Sequence, residues 1–308
     1  MKKEEVLELF HKPLFSLIEE AHTVSLQNPL PVKKSKLLSI KTGGCPEDCA
    51  YCAQSVYYKT DIKRHPLLPL EVVREKAIEA LAQGAQRFCL GGAYRQAPQG
   101  KDFERILSMV REVRALGLEC CLTLGMLEEE QVRLLKEAGL SAYNHNLDTS
   151  AAFYSRIITT RTYEDRLRTL HLLARYDIPI CCGGIIGMGE SEEDHADFLW
   201  ALLSLPKAPE SIPLNLLVPI PNTPLGDRKV QVKEKLALLR LVCLCRILFP
   251  TSSVRIAAGR KMFSPIEQML LFYAGANSVF IGEKLLTAVN VGNLEDRELW
   301  EILGQAMS

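Results

Sequence analysis

No stretch of the 308-residue chain approaches the roughly 18 apolar residues that a membrane-crossing helix requires. The longest candidate, Leu236 to Pro250, is broken by Arg240 and Arg246 and reads as a surface helix. Neither sign of charge predominates. Lys plus Arg and Asp plus Glu are equal at 37 each, which gives no reason to expect a nucleic acid or an anionic membrane as partner. The N-terminal MKKEEVLELFHKPLF interrupts its apolar positions with acidic residues and has no small-residue cleavage site. A signal or transit peptide is therefore not expected, and the expected location is cytoplasmic. No linker rich in Gly, Ser or Pro divides the chain, and no segment is of low complexity. Ten cysteines are too dilute for a disulfide scaffold and fit reduced thiols or metal ligands.

What the chain does have is alternation. Eight short apolar runs carry strand character: Leu37–Gly43, Arg87–Ala93, Glu119–Gly125, Ala142–Asp148, Pro179–Gly187, Ile212–Val218, Ser253–Gly259 and Ser278–Glu283. Between them lie stretches of helical period, among them Leu70–Gln83, Asp102–Leu116, Glu128–Ala138, Tyr163–Tyr176, Ser191–Leu205, Val232–Leu248 and Pro265–Tyr273. Strand and helix alternating eight times predict a parallel α/β sheet closed into a (β/α)8 TIM-type barrel, with a doubly wound open sheet as the alternative. The expected organisation is a single domain over 1–308. Helices outside the barrel fill about 1–35, the barrel about 36–290 and a C-terminal helix about 291–308.

The segment KTGGCPEDCAYCAQS follows the first strand and places Cys45, Cys49 and Cys52 on a loop at the barrel mouth. A structural zinc site closes with four protein ligands, usually as two short hooks, and a second hook is missing. An iron-sulfur cluster with one iron left open is the natural alternative. The spacing C-x-x-x-C-x-x-C, with Tyr51 before the last cysteine, resembles the signature of radical S-adenosylmethionine (radical SAM) enzymes. That resemblance implies a 4Fe-4S cluster whose open iron binds S-adenosylmethionine and cleaves it to a 5′-deoxyadenosyl radical.

Alternation along strands puts residues i and i+2 on one face. It collects Arg87 with Cys89, Cys121 with Thr123, Asn144 with Asn146 and Asp148, Cys181 with Gly183, and then Asn215 and Arg255. Cys120 and Cys182 fall on the opposite face, and Cys243 and Cys245 lie in a helix, where free cysteine packs as a small hydrophobe. A buried polar set of this kind needs partners, which a metal or cluster inside the barrel would supply.

LLSIKTGGCPEDCAYCAQS, RFCLGGAYR, CLTLGML, YNHNLDTSAAFYSRIITTRTYEDRL, GGIIGMGES, SIPLNLLVPIPNTPLGD and VRIAAGR resemble the biotin synthase family in the same order, over roughly Leu9 to Leu286. The resemblance implies a second cluster, 2Fe-2S, on Cys89, Cys121, Cys181 and Arg255, with a bridging sulfide given up to dethiobiotin. It implies cofactor contacts from Tyr51, Asn146, Asp148, Arg161 and Ile185, and substrate contacts from Asn144, Asn146 and Asn215. No protein side chain is expected to act as a catalytic acid or base. An electron-donor protein of flavodoxin or ferredoxin type and a homodimer are the expected partners, with no nucleic acid or membrane. A family relative that only rearranges its substrate would lack the inner cysteines. A non-catalytic iron-sulfur or zinc binding protein is the alternative from another class.

Overall fold

The computed structural model describes residues 1–302. Helices α1 (Lys3–Phe10) and α2 (Leu14–Gln27) precede the sheet. Strands β1 (Lys33–Lys41), β2 (Arg87–Gly92), β3 (Glu119–Thr123), β4 (Ala142–Asn144) and β5 (Ile180–Cys181) lie side by side in parallel. β6 (Gly184–Ile186), β7 (Ser211–Leu216), β8 (Ser253–Ile256) and β9 (Ser278–Phe280) continue the ring, and β9 pairs with β1. Pairing of Cys181 in β5 with Ser211 in β7 closes it. The covering helices are α3 (Leu70–Ala82), α4 (Gly100–Ala115), α5 (Glu129–Glu137), the short α6 (Ala151–Tyr154), α7 (Tyr163–Arg175), α8 (Glu192–Leu203), α9 (Val232–Leu248) and α10 (Pro265–Tyr273). α11 (Asn293–Ile302) follows β9; the part of the expected C-terminal helix past 302 lies outside the described residues.

The closed barrel is the architecture that the alternation predicts, with three differences. β1 starts at Lys33, earlier than the expected Leu37 and within the stretch assigned to the outer helices. The fifth strand, expected over Pro179–Gly187, is broken into β5 and β6. A Cβ on Gly183 would lie 1.8 Å from the Pro213 carbonyl oxygen, so the backbone of this link presses directly on β7. The fourth strand ends at Asn144 rather than Asp148, and Asp148 turns the chain with a left-handed φ of 68°.

The segment Leu236–Pro250 is the clearest correction. α9 is buried along most of its length, with Leu238, Leu241, Val242, Leu244 and Cys245 in the core. Its two arginines do not mark a solvent face. Arg240 donates to the carbonyls of Phe10 and Lys12 at 2.6 Å each, tying the N-terminal helices down. Arg246 is buried and donates to the carbonyls of Gly275, Pro250 and Ser252 and to Asn277 Oδ1. These donors satisfy carbonyls that the barrel's lower loops leave unpaired.

Replacing Arg246 with methionine keeps the bulk and removes every donor. Stranding several buried carbonyls is expected to cost about 3 kcal/mol or more, read as a lowered midpoint in urea denaturation of the cluster-free protein; an unchanged midpoint would contradict this role.

Candidate active site

Inward-facing residues of a barrel stack in layers. β2 and β3 show three here. The lowest pairs Arg87 with Glu119 at 2.7 Å and with Glu210 at 2.9 Å, and Lys33 joins Glu210 at 3.3 Å. Above it Cys89 and Cys121 are register partners on adjacent strands. The uppermost layer holds Gly91 and Thr123, and Thr123 donates to Asn144 Oδ1 at 3.2 Å. The charge of Arg87 is thus matched at the closed end, below the thiols.

The middle layer has no such match. Cys89, Cys121, Cys181 and Ala142 form a small buried cluster of their own, apart from the main core, which takes Cys120, Cys182, Cys243 and Cys245. Arg255, 1% exposed, reaches into this layer from β8. Its Nε donates to Ser278 Oγ at 2.9 Å and its Nη2 to Ser35 Oγ at 3.1 Å, and its guanidinium stands 4.8 Å above the Phe280 ring. Among the described residues no carboxylate pairs with it. The hydroxyls of Ser211 and Ser253, on the same inward parity, are buried without a partner.

The thiols respond to this arrangement. A hydrogen bond accepted from Cys121, the Arg255 charge and Asn144 Nδ2 at 3.4 Å hold Cys181 down at about 6 despite burial. Cys89 is lowered in the same way, by Cys121 first and then by Arg255 and Arg87. Cys121, as donor to both, is pushed well up. Ligating thiols must be deprotonated, and two of these three are biased toward that state. Among the described residues no three His, Cys, Asp or Glu side chains surround a single-ion centre. Three thiols facing a buried arginine, with stray hydroxyls around them, suit a polynuclear cluster better than one ion.

The mouth carries the other trio. Cys45 and Cys52 are half-buried and Cys49 is buried. The loop is turned by Gly43 and Gly44, at φ 77° and 72°. It is held by Cys45 N–H to Gln54 O and Val56 N–H to Cys45 O, each 2.9 Å. Asp48 accepts from the backbone of Thr159 at 2.9 Å and of Thr160 at 3.2 Å, which docks the loop on the segment before α7 and holds Asp48 below the usual carboxylate range in spite of burial. Burial raises all three thiols, Cys49 to about 12 and Cys52 to about 11. Metal must displace those protons, which is ordinary for a thiolate site.

Between the trios lies a cavity of about 260 Å³ lined by Tyr51, Cys52, Asn146, Asp148, Ile185 and Asn215, among others. Three larger cavities contain none of the expected site residues: two, about 590 and 670 Å³, lie against the N-terminal helices, and one of about 600 Å³ lies between β1, the stretch Asp61–His65 and the far side of the Leu285–Thr287 turn. The inner one is bordered above by Leu285 to Ala288, a turn after β9 in which Lys284 bridges Val289. Leu286 fills the space over Gly91, where a Cβ would meet it at 2.8 Å.

Asp148 organises the cavity wall. Its Oδ2 accepts from Tyr51 OH at 2.8 Å and from Arg166 Nη2 at 2.7 Å, leaving Oδ1 with no hydrogen bond among the described residues. Arg166 was not anticipated from the sequence. Its signal is an arginine within the buried stripe Tyr163, Arg166, Leu170 and Leu173 of α7. Arg161 is buried, not solvated: its Nε donates to Tyr154 OH at 3.2 Å, and its Nη1 stands 3.9 Å from Glu47 Oε1, a buried oxygen without a hydrogen bond. Asn146 accepts from Gly183 N–H and from Asn144 Nδ2. Asn144 is not on the cavity wall; it bridges from Asn146 down to Cys181. Asn215 is on the wall, and its amide also braces Gly184 O and Ala258 N–H at 3.0 Å each. Ile185, its register partner, is fixed by its N–H to Asp148 O at 2.8 Å.

Arg166→Met would leave the Asp148 carboxylate buried with only the Tyr51 hydroxyl. Breaking a buried pair from one side is expected to cost about 3–5 kcal/mol in urea denaturation. Adding Asp148→Asn to that variant is expected to recover part of the loss; no recovery would contradict the pairing.

Comparison with known proteins agrees with this geometry. Residues 39–200 match the family model of the Radical SAM superfamily, and 213–306 that of the Biotin and Thiamin Synthesis associated domain. The chain is 52% identical over 303 residues to a biotin synthase from Synechococcus sp. (strain JA-3-3Ab), covering 98% of this chain and 97% of that one. It is 53% identical over 302 residues to a biotin synthase from Nitrosococcus oceani, covering 97% and 87%. Among solved structures, methylornithine synthase superposes with a TM-score of 0.82 over 99% of this chain and 93% of its own at 18% identity, a likeness of fold alone. The matched models, and identity of about half over nearly the whole length, show that the chain belongs to the biotin synthase family of the radical SAM superfamily.

Proposed function

We propose that this chain converts dethiobiotin to biotin by inserting one sulfur between two saturated carbons. The observation that carries this is the middle layer: three thiols, two of them biased toward thiolate, facing a buried arginine that has no carboxylate. When bound, a 4Fe-4S cluster on Cys45, Cys49 and Cys52 with S-adenosylmethionine supplies a 5′-deoxyadenosyl radical, and a 2Fe-2S cluster on Cys89, Cys121, Cys181 and Arg255 supplies the sulfur.

The chain's own residues bind, orient and exclude water. Arg161, only loosely engaged by Glu47, has guanidinium donors in reserve for the cofactor's carboxylate. Asp148 Oδ1 is open to accept from ribose hydroxyls while Tyr51 and Arg166 fix Oδ2. Asn146 and Asn215 offer amides to a neutral cyclic urea, and Asn144 sets the rotamer of Asn146 while touching Cys181. The turn Leu285–Ala288 borders the space with the apolar side chains of Leu285, Leu286 and Ala288, which limit solvent near the reacting carbons. No side chain in this scheme needs to act as general acid or base. An external one-electron donor of flavodoxin or ferredoxin type, a homodimer and a cytoplasmic location complete the reading; no helix among the described residues is long and apolar enough to cross a membrane.

An anaerobic single-turnover assay with dethiobiotin and S-adenosylmethionine separates the two cysteine sets. Cys49→Ala is expected to abolish both 5′-deoxyadenosine and biotin, whereas Cys89→Ala retains 5′-deoxyadenosine and makes no biotin. Wild-type protein that forms 5′-deoxyadenosine with no thiolated product would overturn the sulfur-insertion reading. Asp148→Asn is expected to weaken S-adenosylmethionine binding about tenfold, or about 1.4 kcal/mol, in calorimetric titration; unchanged affinity would remove Asp148 from the cofactor site.

A further inference from the structure

The outer cysteine loop is bordered by three segments that reach the surface together. The stretch after it starts at the Cys45–Ser55 bridge and exposes Val56 (49%) and Tyr57 (60%), followed by exposed Lys59, Lys63 and Arg64. Ala50 N–H donates to Ile157 O at 3.0 Å, which brings exposed Arg156 to a second side. Leu225 N–H donates to Ala50 O at 3.1 Å, which brings the stretch containing exposed Lys229 to a third.

None of these five cations forms an ion pair among the described residues, although exposed cations on the helices commonly do, as with Lys76–Glu79, Arg133–Glu130 and Arg297–Glu301. The same segments expose two carboxylates, Asp61 and Asp227, while Asp48 is held by Thr159 and Thr160. In a chain with equal numbers of acidic and basic residues, the segments bordering the cysteine loop thus carry five exposed cations and an exposed aromatic side chain against two exposed carboxylates.

We propose that this face is the docking surface for a small acidic one-electron carrier protein. The inference rests on the radical reading of the Cys45, Cys49 and Cys52 site. In each encounter the reduced carrier loses one electron; that electron is consumed in breaking the carbon–sulfur bond of S-adenosylmethionine, which yields methionine and the 5′-deoxyadenosyl radical. Cys45 and Cys52 are half-buried, so the shortest route for an electron from outside runs through this loop. Unpaired rim charges raise the rate of encounter more than they deepen binding, and a small patch with few apolar anchors fits a partner that must leave after each electron. Tyr57 is the natural central contact, since aromatic residues are enriched in interface cores.

The test is stopped-flow reduction of the reconstituted holoprotein by reduced flavodoxin, with dithionite run in parallel. Lys59→Glu/Lys63→Glu/Lys229→Glu is expected to slow reduction by flavodoxin tenfold or more at low salt, with the difference shrinking as salt is raised. Its dithionite rate is expected to match wild type, as is the flavodoxin rate of the control Arg111→Glu, in the second half of α4 and away from the cysteine loop. Equal flavodoxin rates for wild type and the triple variant at low salt would overturn the docking surface. So would equal slowing with dithionite, or an equal loss in the α4 control. Failure of dithionite to reduce the wild-type cluster would overturn the radical reading itself, and the docking proposal with it.

Discussion

A guanidinium buried without a carboxylate is the constraint on which the interior depends. Removing a charge from water is costly unless it is paired and hydrogen-bonded, and the barrel applies that rule to Arg87 and not to Arg255. Arg87 has Glu119 and Glu210. Arg255 has two serine hydroxyls, the face of Phe280, and three thiols, two of which it biases toward thiolate. A cluster with anionic sulfur ligands would complete the arrangement. A guanidinium normally stays protonated and is a poor ligand, which suits a cluster whose sulfur is to be released.

The layers divide the labour. Ion pairs seal the closed end, thiols occupy the middle, and a small cavity under the Leu285–Ala288 turn separates them from the cysteine loop at the mouth. The loop is tied down through its acidic pair: Asp48 accepts from the backbone of Thr159 and Thr160, and Glu47 is buried beside Arg95 and Arg161. Asp148, past the end of β4 at a left-handed φ and bridged to Gly184, joins Tyr51 on the cysteine loop to Arg166 on α7. Cofactor chemistry of this kind asks the protein for position and exclusion more than for proton transfer.

Much of this was legible in the sequence because period two and period 3.6 are strong signals in a parallel barrel. The alternation rule placed Cys89, Cys121, Cys181 and Arg255 on one face without any knowledge of the fold's closure, and the structure does bring them together. Other features were not legible, for physical reasons. The apolar run in α9 looks the same whether its arginines meet solvent or backbone carbonyls, and only tertiary packing decides it: the N-terminal helices supply the carbonyls for Arg240, and the loops before β8 and β9 those for Arg246. At Gly183, between β5 and β6, the backbone runs so close to the Pro213 carbonyl of β7 that no Cβ fits, a contact between strands that local sequence does not encode. Arg166 could have been found as a charge in an apolar stripe. Ser35 and Ser278 could not, since a serine at the start of a strand is unremarkable until Arg255 reaches it.

The central claim is that two cysteine sets hold two separate clusters. Iron and sulfide quantitation on anaerobically reconstituted Cys45→Ala/Cys49→Ala/Cys52→Ala protein tests it most directly. The account predicts that about two irons and two sulfides per chain remain, bound by the inner thiols and Arg255. Loss of all iron and sulfide in a folded variant would contradict it.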